Sequence, residues 1–249
     1  MIALKNAEEI RAIERAGRIL ADLFVAIEPR VEPGATTAEL DRFAEEFIRS
    51  HDGAEPAFKG LYGFPASLCT SLNEEVVHGI PSERRKLRSG DILSVDAGVK
   101  LGGWYADAAR TFPVGDVDER TARLLAVTRD ALAAGIEQAR PGNRLGDIGH
   151  AIQQVAETAG FGVVRDLVGH GIGREPHEEP QVPNYGRPGR GLRLQPGLVL
   201  AIEPMVNAGQ VGIRTLPDRW TVVSADGSRS AHFEQTVAIT EAGPLVLTA

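Results

Sequence analysis

The chain is almost without cysteine: among 249 residues only Cys69 carries a thiol. This excludes an internal disulfide framework and suits a reducing compartment, with the cytoplasm as the expected address. Long apolar runs are also missing. Leu198 to Ile202 is among the longest unbroken stretches, far short of the ~20 residues of a membrane span. The opening Met1-Ile2-Ala3-Leu4-Lys5 offers no secretory signal, and Asn6 with Glu9 three residues later reads as a helix N-terminus instead. Positive charge is in deficit, with 27 Lys and Arg against 34 Asp and Glu for a net charge of -7. The surface as a whole should therefore not attract nucleic acid, and no DNA partner is expected. Arg84, Arg85, Lys86 and Arg88 form a local exception, but no aromatic residue interleaves with them and they read as a solvated loop. The hydrophobic content of 43% is enough, at this length, to bury a substantial core without a disulfide or structural metal.

A weak internal repeat organises what is there. A helical stretch ending near Ile27 is followed by Pro33-Gly34, a Thr36 cap with Glu39 three residues on, and Leu40, Phe43 and Phe47 at helical spacing. A second stretch through Leu132 and Ile136 is followed by Pro141-Gly142, an expected Asn143 cap, and Ile148, Ile152 and Val155. Val77-His78-Gly79-Ile80 echoes Gly169-His170-Gly171-Ile172, and the segment Leu87 to Asp96 echoes Leu194 to Glu203. Each of the last two runs from a Gly turn through an apolar, β-rich stretch to a carboxylate. The pattern predicts an α+β fold of one domain, 1–249, with a repeat over approximately 8–115 and 118–249, helices packed outside a sheet built from both halves.

Four carboxylates stand where carboxylates are costly. Leu93 to Val99 and Trp104 to Val114 read as hairpin arms around Lys100-Leu101-Gly102-Gly103. An even-numbered loop puts Asp96 and Asp107 on one face, and a two-residue turn at Leu101-Gly102 would set them directly opposite, with Cβ atoms about 5 Å apart. Glu203 ends the apolar run from Leu198, and Glu234 opens the run to Ile239. Buried acids repel and titrate high unless a cation lies between them. Arg110 and Arg214 could pair with two of them as ordinary ion pairs. Alternatively, four carboxylates would neutralise two divalent cations, with His170 in a flexible Gly-His-Gly turn adding an imidazole. Such a pair, about 3.5–4 Å apart, lowers the pKa of a bridging water and polarises a scissile carbonyl. The oxygen-rich ligand set leaves Mn, Fe, Co and Zn all open.

The order Asp96, Asp107, His170, Glu203, Glu234 resembles that of the creatinase and aminopeptidase "pita-bread" enzymes, whose two αβ halves are related by a pseudo-two-fold axis around a curved antiparallel sheet. Within that group, Ser71-Leu72-Asn73-Glu74, Val77-His78-Gly79-Ile80-Pro81, Gly169-His170-Gly171-Ile172-Gly173, His177-Glu178-Glu179-Pro180 and Trp220 to Glu234 look like type I methionine aminopeptidases over nearly the whole chain. The resemblance implies removal of the initiator methionine from nascent proteins when the second residue is small. It implies that Asp96 and Asp107 bind one metal, that Asp107 reaches the second, that His170 and Glu203 complete the second site, and that Glu234 bridges both. Glu203 is further implied as the proton shuttle, and His78 and His177 as residues that contact the scissile peptide and stabilise its tetrahedral intermediate. Phe64, Cys69 and Trp220 match the family's apolar methionine pocket, although Leu61 and Pro176 stand where larger or aromatic side chains are usual. A monovalent cation site would map near Asn73, Val76 and Ser230. The family also implies a peptide or nascent-chain substrate and a transient ribosome contact; no membrane association is expected from the lack of a long apolar run, and the chain is expected to be a monomer.

His51 and His150 read as helix-surface residues, whereas His232, two residues before Glu234, is left open. Asp96-Ala97-Gly98 and Arg110 to Val114 look more like the Xaa-Pro peptidases of the same fold. Those enzymes usually carry an additional N-terminal domain, whereas here the first catalytic-domain helix is expected from Glu8. A metal-free binding module on the same fold is a second alternative, against which stand all five ligands.

Overall fold

Helices start where side chains can satisfy their free amides. In the computed structural model, which describes residues 2–249, the Asn6 side chain accepts from the amides of Glu8 and Glu9, and Glu9 accepts from the Asn6 amide at 2.9 Å. Thr36 and Glu39 make the same reciprocal pair one helix later. Each such cap stabilises its helix by about 1 kcal/mol. The first half runs α1 (Ala7–Ile27), α2 (Thr37–Arg49), β1 (Ala54–Pro56), β2 (Leu68–Leu72), β3 (Glu75–Val77), β4 (Ile92–Leu101) and β5 (Trp104–Pro113). The second runs α3 (Glu119–Gln138), α4 (Leu145–Thr158), β6 (Gly162–Val163), β7 (Gly169–Gly171), β8 (Glu178–Val182), β9 (Val199–Ile202), β10 (Met205–Asn207), β11 (Ile213–Thr215), β12 (Val222–Ser224), β13 (Ser230–His232), β14 (Gln235–Thr240) and β15 (Gly243–Val246).

The cap of α4 is Arg144, not Asn143 as expected. The Asn143 amide group turns back to the carbonyl of Gln138, and Asp147 accepts from the Arg144 amide at 2.7 Å. This one-residue correction improves the match between the halves. Thr36 bridges Lys86 and Arg144 bridges Arg193; Gly34 donates to the carbonyl of Leu87 at 2.8 Å and Gly142 to that of Leu194 at 3.0 Å. Leu87 in turn donates to Ala35, and Leu194 to Asn143. The echo between these segments is thus a repeated set of backbone contacts.

β1, β4, β2 and β5 make one antiparallel sheet, and β15, β14, β9, β7 and β8 another. They join where Ala109, on β5, bridges Glu234. Thr236, on β14, clamps the seam: its hydroxyl accepts from the Asp107 amide at 3.0 Å and donates to the Asp107 carbonyl at 2.7 Å. Two three-stranded sheets, β13-β10-β6 and β11-β12-β3, complete the framework. One apolar cluster, with Leu20, Phe24 and Ile48, lies between the first helix pair and its sheet; a second, with Leu124, Ile148 and Ile152, lies under the other pair. The α+β arrangement with helices outside follows from these two faces.

The hairpin of β4 and β5 turns at Gly102-Gly103, not Leu101-Gly102: Leu101 pairs with Trp104. Both glycines have positive φ, 59° and 79°, which a two-residue turn of this hand requires and which leucine would adopt only with strain. The loop is even-numbered as expected, so Asp96 and Asp107 share a face. They sit diagonally, however, Asp96 opposite Ala109 and Asp107 opposite Gly98.

Candidate active site

Five ligand-type side chains reach one cavity of about 570 Å³ from both halves: Asp96 from β4, Asp107 from β5, His170 from β7, Glu203 just past β9, and Glu234 at the seam. Asp96, Asp107 and Glu234 are at most 9% exposed. The arginines that could have neutralised them lie elsewhere. Arg110 stacks on Phe24, Arg214 lies on the edge strand β11, and among the described residues no Lys or Arg forms an ion pair with any of the four acids. One oxygen each of Asp96, Asp107 and Glu234 is buried without a hydrogen-bond partner. Donor atoms of Asp107, His170 and Glu234 lie within 4.8 Å of one another. Buried oxygens of one charge sign, unpartnered and mutually close, are the environment a divalent cation stabilises.

Titration behaviour follows from that burial. Loss of solvent raises Asp96 to about 7. It lifts Asp107, Glu203 and Glu234 well above the carboxylate range, with repulsion among the same acids adding to each. Burial lowers His170 to about 4, helped by nearby His177, and also lowers His78 and His177. All three imidazoles are therefore neutral at pH 7. The Nδ1 of His170 lies 2.9 Å from the Gly171 carbonyl, so that nitrogen carries the hydrogen and Nε2, 3.5 Å from Glu203, keeps its lone pair for a ligand.

The Gly-His-Gly segment is a strand, not the flexible turn expected from its glycines. β7 lies between β8 and β9, and neither glycine has positive φ. A Cβ on Gly169 would run into the Ala201 carbonyl and come within 3.3 Å of Glu203 Cγ, and one on Gly171 would meet the Glu179 carbonyl. The glycines allow close backbone approach and so bring His170 beside Glu203. Gly169→Ala is expected to spread β7 from β9, lowering the melting temperature by several degrees and metal affinity at least ten-fold, as read by calorimetry. Wild-type affinity in a folded Gly169→Ala protein would remove this role.

His78 follows β3 in the left-handed region at φ 60°, and its ring meets Trp220 edge-on at 6.5 Å. His177 meets His170 edge-on at 4.5 Å. Phe64, Cys69 and Trp220 line an apolar hollow with Phe58 and Leu61, Phe64 and Trp220 packing edge-on at 5.1 Å. Pro176 is buried just before exposed His177. The thiol of Cys69 is held well above its ordinary range, by burial and then by Asp96. Asn73 and Ser230 also meet, the Ser230 amide donating to the Asn73 carbonyl at 2.8 Å, near buried Val76.

His232, which the sequence left open, lines the cavity at 1% exposure, with Nε2 3.8 Å from Glu203 and 3.9 Å from Glu234. His150 sits half-buried on α4. His51 lies just beyond α2, half-buried against Phe47, so it is not on a helix surface. Arg84, Lys86 and Arg88 are exposed on the loop before β4, whereas Arg85 pairs with buried Glu75. Sequence reasoning missed Thr236, Asn184, whose side chain donates to the Glu203 carbonyl at 3.0 Å, and Tyr62, at the cavity mouth. An isolated threonine, asparagine or tyrosine carries no periodic or motif signal by which to find it.

Residues 11–241 match the model of metallopeptidase family M24. A methionine aminopeptidase of Clostridium acetobutylicum is 55% identical over 248 residues, covering 100% of this chain and 99% of that protein. The crystal structure of methionine aminopeptidase from Rickettsia prowazekii aligns at a TM-score of 0.98 and 44% identity, with 100% of each chain covered. A prolidase structure from Pyrococcus horikoshii shares the fold at a TM-score of 0.80 and 24% identity, this chain covering 63% of that one.

Proposed function

The chain belongs to metallopeptidase family M24, and on that basis we propose that it is a metal-dependent aminopeptidase removing the initiator methionine from polypeptides whose second residue is small. The observation that carries this reading is the convergence of five ligand-type side chains, with unpartnered buried oxygens, beside an apolar hollow of Phe64, Cys69 and Trp220. In this reading Asp96 and Asp107 would hold one divalent ion, Asp107, His170 and Glu203 would hold a second, and Glu234 would contribute to both. Such ions, when bound, acidify a water and polarise the scissile carbonyl. Glu203, at the cavity between both halves, would accept a proton from the attacking water and return it to the leaving amine. His78 and His177, neutral at pH 7, can each donate one N–H to the carbonyl oxygen as charge develops there. The hollow accepts an unbranched thioether side chain, distinguishing it by size and polarisability. The wider setting belongs to the same proposal: a cytoplasmic monomer acting on nascent chains in transient contact with the ribosome, with Mn, Fe, Co or Zn as the ion and a monovalent cation near Asn73, Val76 and Ser230.

Purified protein supplied with Mn or Co is expected to release methionine from Met-Ala-Ser and to leave Gly-Pro dipeptides intact. Preferential cleavage before proline would instead support the Xaa-Pro reading and leave the metal site unchanged.

A further inference from the structure

Tyr62 has no place in the chemistry just described, yet the fold spends conformational strain on it. Its backbone is left-handed, with φ 51° and ψ 17°, a region a bulky L residue rarely enters. The surrounding loop is fixed by its own hydrogen bonds. Gly60 donates to the Phe64 carbonyl at 2.8 Å, Gly63 to Gly60 at 3.1 Å and Phe64 to Leu61 at 2.9 Å, while Gly60 and Gly63 absorb the flanking positive φ values. The result is a rigid presentation of a ring that is 75% exposed. That ring lies nearly parallel to His177, at 15° and 5.9 Å between centroids, and His177 meets His170 at 4.5 Å. Three rings thus lead from the buried carboxylates to solvent. The apolar hollow of Phe64, Cys69 and Trp220 is a separate cluster, which does not include Tyr62.

We infer that Tyr62 is a specificity-determining residue, a platform for the part of the peptide beyond the second residue. This rests on the aminopeptidase reading. The first side chain enters the buried hollow, so the remainder of the substrate must leave toward solvent, and the ladder from His170 through His177 to Tyr62 lines a way out. An exposed aromatic face held in place before binding can stack on a peptide group or side chain with little further loss of freedom.

The test compares kcat/KM for Met-Ala-Ser-Phe with that for Met-Ala in the manganese-loaded protein and in three variants. In Tyr62→Ala and Tyr62→Gly the ratio of the two values is expected to fall about five-fold, mainly through KM on the longer peptide. Tyr62→Phe, which keeps the ring, should keep the wild-type ratio. Glycine suits the left-handed backbone, so Tyr62→Gly separates loss of the ring from loss of the loop. An unchanged ratio in both ring-deleted variants overturns the inference, as does a change confined to the preference for Met-Ala over Leu-Ala, which would assign the ring to the methionine hollow. If the wild type hydrolyses neither peptide, the aminopeptidase reading fails by itself. Calorimetric binding of the two peptides to the same variants then decides the role of the ring.

Discussion

Glu203→Gln is expected to lower kcat on Met-Ala-Ser by roughly 10²–10⁴-fold, the range a lost general acid–base group produces, with KM nearly unchanged. The substitution keeps the size and shape of a side chain packed against His170 at 3.5 Å and close to His232. An amide can neither take a proton from water nor return one to an amine at neutral pH. Because the change also removes a negative charge from a group of four, metal occupancy should be measured on the same preparation and kcat expressed per loaded molecule. A melting temperature within a few degrees of wild type would show that the fold survives. A kcat within two-fold of wild type at equal occupancy would remove Glu203 from proton transfer and leave it at most a ligand.

The second large effect concerns the metal-free protein, whose melting temperature is expected to fall as pH rises from about 7.5 to about 9. Burial holds Asp96 at about 7 and Asp107, Glu203 and Glu234 well above the usual carboxylate range. Between the unfolded and folded values the folded state binds more protons than the unfolded state, so stability declines with rising pH. The buried imidazoles act in the opposite direction, but only lower down. His170 at about 4, His232 at about 3 and the lowered His78 and His177 stay neutral in the folded state, so the stability they withhold in acid is half restored at the unperturbed value of about 6.5 and almost fully restored by about pH 7.5. Above about pH 7.5 the buried carboxylates dominate the slope, and the raised Cys69 thiol acts in the same direction. A decrease of roughly 5 °C across the window corresponds to one or two units of differential protonation. Scanning calorimetry after EDTA treatment measures it. Millimolar Mn should remove the slope, because ligation replaces the protons. A melting temperature that is flat or rising over this range, and unmoved by Mn, would mean that the four acids do not share a desolvated, cation-binding site.

Much of this molecule is legible in one dimension because its signals are local. The caps at Asn6 and Thr36 depend on side chains reaching amides two or three residues away, and the structure has both. The echo between Leu87–Asp96 and Leu194–Glu203 is likewise visible because equivalent turns and strands demand similar residues, and it identified Asp96 and Glu203 as counterparts. The alternation rule ties an even loop to Asp96 and Asp107 sharing one face and a three-residue loop to opposite faces, and the even loop, which is the expectation, is the one present. That rule could not choose between Leu101-Gly102 and Gly102-Gly103, since both are even. Pairing along the full length of β4 and β5 decided it. Glycines around His170 suggested flexibility, whereas the actual demand was close approach to Ala201 and Glu179, carbonyls contributed from other strands.

The sequence by itself therefore determined the starts of the first two helices, at the Asn6 and Thr36 caps, because those are set by chemistry within a few positions along the chain. The tertiary structure alone decided the diagonal offset of Asp96 and Asp107, the Thr236 clamp on the seam, the burial of His232 between two glutamates and the stacking of Tyr62 on His177. Those depend on which distant segments exclude water from one another, and burial against a partner remote in the chain leaves no periodic trace in the residues that undergo it.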